Sequence, residues 1–497
     1  MGKAPRWKWN YTSKAKITGQ GRPTVSEPVL RVRSETWSGG ETRSARRVAR
    51  PLTKFLAQKT SSGFVLLGAT ALALILVNVG FSEQYHEFWE TNLSIDIGSK
   101  HLIGMSLHGW VNDALMALFF FVVGMEIKTE LVAGDLANPQ VAALPVIGAL
   151  GGMVVPAVIY LAINLGGVTG GWGVPMATDI AFAVGVMAML GPRIPQSLKL
   201  FLLTLAIVDD IGAIVVIAVF YTTSISAMWL ALAVGLVAAI LVLRKLNVWY
   251  IPIYAVIGLV VWFATHESGV HATIAGVGLG LLTPARPLIG ARRGEAIQDI
   301  LAGDTVDPVG FRDMNFKLRE QVPVTGRLIA LFSPWTSFLV IPLFALANAG
   351  VKLNGESLSG AMSSRVAWGV ILGLVVGKPL GIWSFCMIGK RFGLVSLPPG
   401  LKSMHLAGVG AVAGIGFTMA LFISGLAFED AANSEAAVMG ILAASVVAAI
   451  VGWLILLRSG DGETDTMNYI ESLSDTSESG NSNGPKTVPQ TEPVGTK

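Results

Sequence analysis

The sequence predicts an all-α polytopic membrane protein, and three observations carry this prediction. Of its 497 residues, 52% are hydrophobic and only 14% are charged, whereas roughly 25% are charged in ordinary soluble domains. The apolar residues form long blocks, and about 20 such residues cross the hydrocarbon core of a bilayer as one helix. Lys and Arg are concentrated in alternate connections between the blocks, as they are in cytoplasmic loops of membrane proteins.

Twelve transmembrane spans are predicted along the chain. They cover residues 62–81, 105–125, 139–166, 173–190, 197–222, 225–243, 248–265, 269–283, 328–350, 363–388, 401–428 and 433–457. They define a transmembrane domain, residues 61–458, with one long cytoplasmic loop at 284–327. The basic arm 1–60 and the acidic tail 459–497 are rich in Ser, Thr, Gly and Pro, so both are predicted to be disordered.

Loop charge fixes the predicted direction of the spans. The loop 284–327 carries seven Lys or Arg residues, whereas the predicted outer connections carry only Lys100 and Lys352. Positive loops stay in the cytoplasm, so we expect both termini inside, in the inner (plasma) membrane, with lipid as a partner. The single cysteine, Cys386, excludes an internal disulfide. A Gly-rich fingerprint at 408–413 lies inside a span, where it indicates neither a nucleotide nor a nucleic-acid partner.

A few charged residues lie inside the predicted spans, where charge is costly and usually functional. Asp209 and Asp210 are adjacent near the middle of the fifth span, and Asp179, Lys378 and Asp113 lie within the fourth, tenth and second. Ion pairs that only fix helix packing are the alternative, but apolar residues would serve that purpose better. An anionic carboxylate offers hard oxygen ligands to a bare Na⁺ or Li⁺, and the same oxygens bind protons. This competition predicts exchange of the two ions, with activity that rises with pH.

Gly and Pro interrupt two of the spans. Pro175 lies four residues before Asp179, and Gly414 and Gly416 lie within the eleventh span. Interrupted spans in corresponding halves indicate inverted repeats whose broken, crossing helices surround a site at the midplane. Half-helix N-termini carry positive partial charge and C-termini negative. We therefore expect Asp179 to compensate the first kind of helix end and Lys378 the second.

Several motifs together resemble the NhaA family of sodium/proton antiporters. These stretches are PMATDIAFAVG, LAIVDDIGAI, VVGKPLGI, GIGFTMALFISG, NDALMALFFFVVGMEIKTEL and SGVHATIAGV, and the resemblance runs from about residue 60 to 457. It implies a secondary active transporter and not an enzyme. Such a carrier exchanges Na⁺ or Li⁺ for H⁺ electrogenically by alternating access, without a resident cofactor, and serves pH and sodium homeostasis. It also implies a twelve-helix fold that is often a homodimer.

The resemblance implies a role for each candidate residue. Asp210 would be the principal ion and proton carrier, and Na⁺ would bind at Asp209 and Asp210. Asp209 would pair with Lys378 in one state, and Thr178 and Asp179 would lie beside the site. A cytoplasmic pH-responsive region would contain three further residues, Glu126, Glu130 and His271. For His271, a packed and hydrogen-bonded histidine is the alternative.

The sequence departs from the family at the inner start of the ninth span. Family members often carry Lys, Glu and His there, whereas Ile329, Ala330 and Ser333 supply no titratable group. This departure leaves the pH-activation profile open. Two other classes of function remain as alternatives: a cation channel or proton-coupled symporter that uses the same carboxylates, and a membrane sensor that transports nothing.

Overall fold

The structure, a computed structural model, describes residues 59–97, 100–222, 225–246, 248, 250–287, 319–398 and 400–459. Most of the predicted basic arm, the acidic tail and the long cytoplasmic loop lies outside these residues. The expectations for those three segments therefore remain predictions.

The described chain is mainly helical. The first helices are α1 Lys59–Asn78, α2 Ser82–Glu90, α3 Met116–Ala133, α4 Pro139–Ile163, α5 Ile180–Met189, α6 Gln196–Phe220, α7 Ala227–Lys245, α8 Ile251–Glu267 and α9 Ala272–Leu282. The others are α10 Val324–Trp335, α11 Ile341–Asn348, α12 Gly355–Ser363, α13 Arg365–Leu372, α14 Lys378–Arg391, α15 Ser403–Ala413, α16 Phe417–Ala427 and α17 Ala431–Arg458. π-Helical turns precede or join some of them, at Trp110–Leu115, Thr336–Val340 and Gly373–Gly377. A single turn lies at Leu107–Gly109, and 3₁₀ turns lie at Asp135–Ala137, Gly170–Met176 and Gly191–Arg193.

Helical segments occupy all twelve predicted ranges, but not all of them are long apolar helices. Within the described residues, eight helices are long and apolar enough to cross a membrane, or nine if α15 and α16 count as one span. Helices α8 and α9 are apolar but shorter. The polytopic helical class is thereby confirmed, whereas the number of twelve crossings remains a prediction.

One hairpin departs from the predicted all-α class. Strands β1 (Asn92–Ile97) and β2 (Lys100–Ser106) pair antiparallel, with an irregularity in register between Ile95 and Asp96. The first two residues of the second predicted span, 105–125, therefore belong to strand β2. Its α-helix continues to Ala133. Short alternating segments such as these give a much weaker sequence signal than a transmembrane helix does.

Small residues bring the central helices together. A Cβ atom added to Gly276 or Gly280 of α9 would lie 2.2 Å from Ala117 O or 2.5 Å from Phe121 O of α3. An added Cβ on Gly381 of α14 would lie 2.1 Å from a backbone oxygen of α4. Close backbone approach through small residues is how helices associate where no water drives them together.

Two interrupted segments meet near the centre of the protein. Residues 177–179 separate the 3₁₀ turn Gly170–Met176 from α5, and residues 414–416 separate α15 from α16, which are bent by 51°. An added Cβ on Gly414 would lie 2.4 Å from Leu374 O, and one on Gly416 would lie 2.9 Å from Ala420 Cβ. Pro175 is buried in the first segment, against the position of Gly373. The predicted interruptions thus lie where the chain has no room for larger residues.

Candidate functional site: buried carboxylates beside a buried lysine

Helix α6 carries Asp209 and Asp210 near its middle. It has 25 residues, and Asp209 is the fourteenth, so the carboxylates lie about 20 Å from its first residue at 1.5 Å per residue. Both side chains are buried, with exposed fractions of 1% and 3%. Charge at such a position is stable only if other groups or ions compensate it.

Lys378 compensates one of the two aspartates. It is the first residue of α14, directly after the π-helical turn Gly373–Gly377, a kind of irregularity that often occurs at functional sites. Its Nζ lies 2.5 Å from Oδ2 of Asp209 and 2.6 Å from Oγ1 of Thr178, and the lysine is 0% exposed. The structure therefore contains a fully buried ion pair between α6 and α14.

Thr178 joins this ion pair to the interrupted segments. Its Oγ1 lies 2.7 Å from Oδ2 of Asp209 and 2.9 Å from the carbonyl oxygen of Ala413. A hydroxyl has one proton to donate, so Thr178 donates to one of these acceptors at a time while it accepts from Lys378. The side chain thus contacts α6, α14 and the end of α15 together.

Asp179 caps two helices with one carboxylate. Its Oδ1 accepts from the backbone N of Phe182 at 3.1 Å, in the first turn of α5. Its Oδ2 accepts from Thr418, through the backbone N at 3.2 Å and the hydroxyl at 2.5 Å, in the first turn of α16. Its own N–H donates to Ile415 O at 2.7 Å. The negative side chain therefore lies at two positive helix N-termini.

One oxygen of each α6 carboxylate, Oδ1, differs from the hydrogen-bonded Oδ2 of Asp209. Oδ1 of Asp209 and Oδ1 of Asp210 are buried and accept no hydrogen bond within the described residues. Those residues contain no cluster of three or more His, Cys, Asp or Glu side chains that could hold a metal ion. A cation here would therefore have two carboxylates and complete its shell with backbone carbonyls or water. Such a shell of oxygens suits a hard cation.

Glu126 and Glu130 lie on α3, outside the ion pair. Glu126 is exposed, and its charge acts on Asp210 electrostatically. Oε1 of Glu130 accepts from the backbone N of Asp135 at 2.7 Å, so this carboxylate fixes the turn that follows α3. The structure associates Glu126 with the α6 carboxylates and gives Glu130 a local structural contact.

His271 does not lie with those two glutamates, and the expected grouping of the three residues is corrected here. Helices α3 and α9 run in the same direction, because Gly276 faces Ala117 and Gly280 faces Phe121. His271 precedes α9 and interacts with Asp113, thirteen residues before Glu126, which corresponds to about 20 Å along a helix. Its Nε2 donates to Tyr221 O at 2.8 Å, so the hydrogen-bonded alternative describes its contact.

Asp113 belongs to a polar cluster at this same end. Its Oδ2 lies 3.6 Å from Nδ1 of His266, and its carbonyl oxygen accepts from Nε1 of Trp262 at 3.4 Å. The indole of Trp262 stacks on the His266 ring at 6.1 Å between centroids. Asp113 therefore has its own polar partners, which differ from those of Asp209.

Sequence reasoning missed two residues that contact the site or its supports, Thr418 and Tyr221, and it also missed His266, which contacts Asp113. The motif GIGFTM places Thr418 in the first turn of α16, two residues after the second interruption. Tyr221 and His266 carry no local signal of this kind, because their partners are distant in the sequence.

The fold and the site define a multi-pass helical membrane protein with an ion pair and a second carboxylate buried among its helices. A family model described as Na⁺/H⁺ antiporter 1 matches residues 53–456. The chain is 45% identical over 425 residues to the Na⁺/H⁺ antiporter NhaA 2 of Sorangium cellulosum, covering 83% of this chain and 91% of that protein. It is 43% identical over 408 residues to the Na⁺/H⁺ antiporter NhaA of Cronobacter sakazakii, covering 81% and 96%. The chain therefore belongs to the NhaA family of sodium/proton antiporters, as its motifs indicated.

Proposed function

We propose that the protein exchanges Na⁺ for H⁺ across a membrane, and that both ions bind in turn to Asp209 and Asp210. The observation that carries this proposal is the pair of buried Oδ1 atoms that accept no hydrogen bond within the described residues. A buried anionic oxygen that accepts no hydrogen bond from the protein attracts a cation or a proton. Similar proteins that are named Na⁺/H⁺ antiporters support the same pair of ions.

Exchange follows from competition for the same oxygens. A carboxylate that holds a proton has lost the charge that attracts Na⁺, and a carboxylate that coordinates Na⁺ cannot also hold that proton. The protein is then a secondary active transporter, because the gradient of one ion drives the other. The net charge of the two neighbouring carboxylates and their bound ions can differ between the Na⁺-loaded and the proton-loaded state. One exchange cycle would then move net charge across the membrane, which supports electrogenic exchange. Li⁺, which also prefers oxygen ligands, would be a second substrate.

Lys378 supplies the charge that Na⁺ would replace. With Asp209 paired to Lys378, the site holds one internal cation and has less attraction for another. Na⁺ binding to Asp209 and Asp210 would draw Asp209 Oδ2 away from Nζ, and Thr178 would keep its contact with the carboxylate. The ion pair is therefore the proposed resting partner of the carboxylates.

Asp179 receives a revised role in this proposal. The sequence-based hypothesis included it among the ion-binding residues with Thr178, but both of its oxygens accept hydrogen bonds from helix N-termini. We assign it to charge compensation at the crossing of the two interrupted segments. Thr178, which contacts Asp209 directly, remains a proposed ion-site residue.

Alternating access is supported by the way the interrupted segments meet. Non-helical backbone at membrane depth occurs where it lines a site or cavity, and crossing broken helices are typical of inverted-repeat transporters. In the proposed architecture, twelve spans form the two repeats and both termini are cytoplasmic. The protein would lie in the inner (plasma) membrane as a homodimer. Glu126 would transmit cytoplasmic pH to Asp210, and the cycle would serve pH and sodium homeostasis.

Ion flux in reconstituted vesicles tests the proposal. A preformed pH gradient should dissipate when Na⁺ or Li⁺ is added, without any organic solute, and K⁺ should have no such effect. Asp210→Asn should abolish the response. A gradient that collapses only with an organic substrate would indicate a symporter, and an unchanged response in Asp210→Asn would remove Asp210 from the site.

A further inference from the structure

Tyr221 fastens the end of the ion-binding helix to the first interrupted segment. It directly follows α6, and its exposed fraction is 7%. Its hydroxyl donates to Gly170 O at 2.8 Å and accepts from Gly173 N at 3.2 Å, both in the 3₁₀ turn Gly170–Met176. We call these two hydrogen bonds the Tyr221 clasp. The neighbouring Phe220 ring contacts Trp172 of the same turn edge-on, at 5.1 Å between centroids.

The Tyr221 clasp packs closely against Gly173. A Cβ atom added to Gly173 would lie 2.7 Å from the Tyr221 hydroxyl and 3.1 Å from its ring. A Cβ contact below 3.0 Å forces atoms to move, so a side chain at residue 173 would displace the Tyr221 hydroxyl from its present position. The absence of a side chain and the presence of the hydroxyl thus serve one contact.

The same segment contacts α6 at a second point. Thr178, two residues after the 3₁₀ turn, hydrogen bonds to Asp209. Asp209 and Tyr221 are twelve residues apart, which is about 18 Å along a helix. Segment 170–178 is therefore attached to α6 both at the proposed ion site and at the helix end, and any opening between them must break the clasp.

A third element is fixed at the same position. The carbonyl oxygen of Tyr221 accepts from Nε2 of His271, which immediately precedes α9. Tyr221 therefore connects α6, the 3₁₀ turn and the start of α9. The predicted topology puts this end of α6 on the outer side, so all three elements meet between the outer face and the buried carboxylates.

From these contacts we infer that the Tyr221 clasp is the latch that keeps the outer path to Asp209 and Asp210 closed in this conformation. Tyr221 is a positioning residue: it touches no ion and acts by holding the segment that carries Thr178. The inference rests on the proposed alternating-access exchange, because a latch matters only if the two sides open in turn. Breaking the clasp favours the state that is open on the outer side.

Cysteine accessibility tests the latch without relying on transport. In a Cys386→Ala background, Ala213→Cys introduces one thiol on α6 between Asp210 and Tyr221, at a position that is 2% exposed. A membrane-impermeant thiol reagent is then added to either side of vesicles of known orientation. Tyr221→Phe removes both hydrogen bonds, and from the usual net strength of two such bonds we expect labelling from the Tyr221 side to increase about 5- to 150-fold. Labelling from the other side should not increase.

Two further variants sharpen the result. Gly173→Ala disrupts the same contact from the opposite partner and should reproduce the one-sided increase, and combining it with Tyr221→Phe should add little. Tyr254 lies on α8, and its hydroxyl donates to Val248 O. Tyr254→Phe removes this hydrogen bond, so it is the matched control and should leave labelling unchanged. Unchanged labelling in Tyr221→Phe, or an equal increase from both sides, would overturn the latch.

Transport separates this inference from the proposed function. If the parent protein moves Na⁺ against H⁺ but Tyr221→Phe shows no one-sided labelling, only the latch is wrong. If labelling increases as expected but the parent shows no Na⁺-driven proton flux, the exchange proposal is wrong. In a working exchanger, Tyr221→Phe should also lower the half-saturating Na⁺ concentration measured from the outer side.

Discussion

The two neighbouring aspartates of α6 have different surroundings. Oδ2 of Asp209 is held by Lys378 and Thr178, whereas Oδ1 of both aspartates is buried without a hydrogen bond within the described residues. Successive residues of a helix point about 100° apart, so adjacent carboxylates contact different neighbours. This difference supports the proposal that Asp210 carries the ion and the proton while Asp209 alternates between Lys378 and the cation.

The two aspartates should respond differently to removal of charge. Asp209→Asn and Asp210→Asn should both abolish exchange, because each removes an anionic oxygen ligand. Asp209→Asn should also lower the thermal stability, because it leaves Lys378 as an uncompensated buried charge, which costs about 3–5 kcal/mol. Asp210→Asn should not lower it. Flux in vesicles and thermal unfolding in detergent measure the two effects.

A double variant that removes both charges of the ion pair provides the control. Combining Asp209→Asn with Lys378→Met should recover much of the stability lost in Asp209→Asn, since no buried charge then lacks a partner. It should not recover exchange. Full sodium-dependent flux in either single aspartate variant would contradict the assignment of the site.

Thr418 should matter through its hydroxyl. Thr418→Val removes the 2.5 Å hydrogen bond to Asp179 and keeps nearly the same volume. We expect a loss of about 1.5–3 kcal/mol in stability, the usual value for a bond to a charged group, together with slower exchange. Thr418→Ser keeps the hydroxyl and should retain both properties. Equal behaviour of the two variants would show that the hydroxyl does not support the crossing.

At the level of whole elements, packing of α3 on α9 depends on particular glycines. Gly280→Ala would put a Cβ 2.5 Å from the backbone oxygen of Phe121, whereas Gly278 on the same helix has nothing within 4 Å. Overpacking costs about 1–3 kcal/mol, so Gly280→Ala should lower the thermal stability. Gly278→Ala should leave it unchanged or raise it slightly, because alanine favours helices. A similar loss in both variants would contradict the packing account.

The helices and the interruptions were predictable from the sequence, and their partners were not. Long apolar blocks and rare buried charges identify α6 and α14 because each signal is local. The bond from Asp179 to Thr418 joins residues 239 apart, and the clasp joins residues about 50 apart, so no local pattern reveals either. The β1–β2 hairpin was missed because its short strands lie between strong helical signals.

At the level of the whole molecule, topology and depth decide which charges can act together. The predicted topology already puts Glu126 and Glu130 at the inner end of the second span and His271 at the outer start of the eighth, so the grouping taken from the family resemblance conflicts with it. In the structure His271 lies toward the Asp113 end of α3. The parallel run of α3 and α9, set by their glycines, separates them. A pH response through Glu126 and one through His271 would therefore act on opposite ends of the molecule.

The competition of the two ions predicts a definite pH dependence. As the pH rises, fewer carboxylates of the site hold protons, so the half-saturating Na⁺ concentration should fall, by up to about tenfold per pH unit for each proton displaced. At high pH, initial rates at saturating Na⁺ should fall, because few protons remain to be exchanged. Flux measured across pH at several Na⁺ concentrations tests this, and a half-saturating concentration independent of pH would contradict competition.

Proton release on sodium binding tests the central claim most directly. Purified protein in weakly buffered detergent solution receives NaCl while a pH-sensitive dye reports free protons, with choline chloride as the salt control and Asp210→Asn as the protein control. The account predicts proton release in the parent protein that saturates with Na⁺ and is absent from both controls. Saturable Na⁺ binding without any proton release would contradict it.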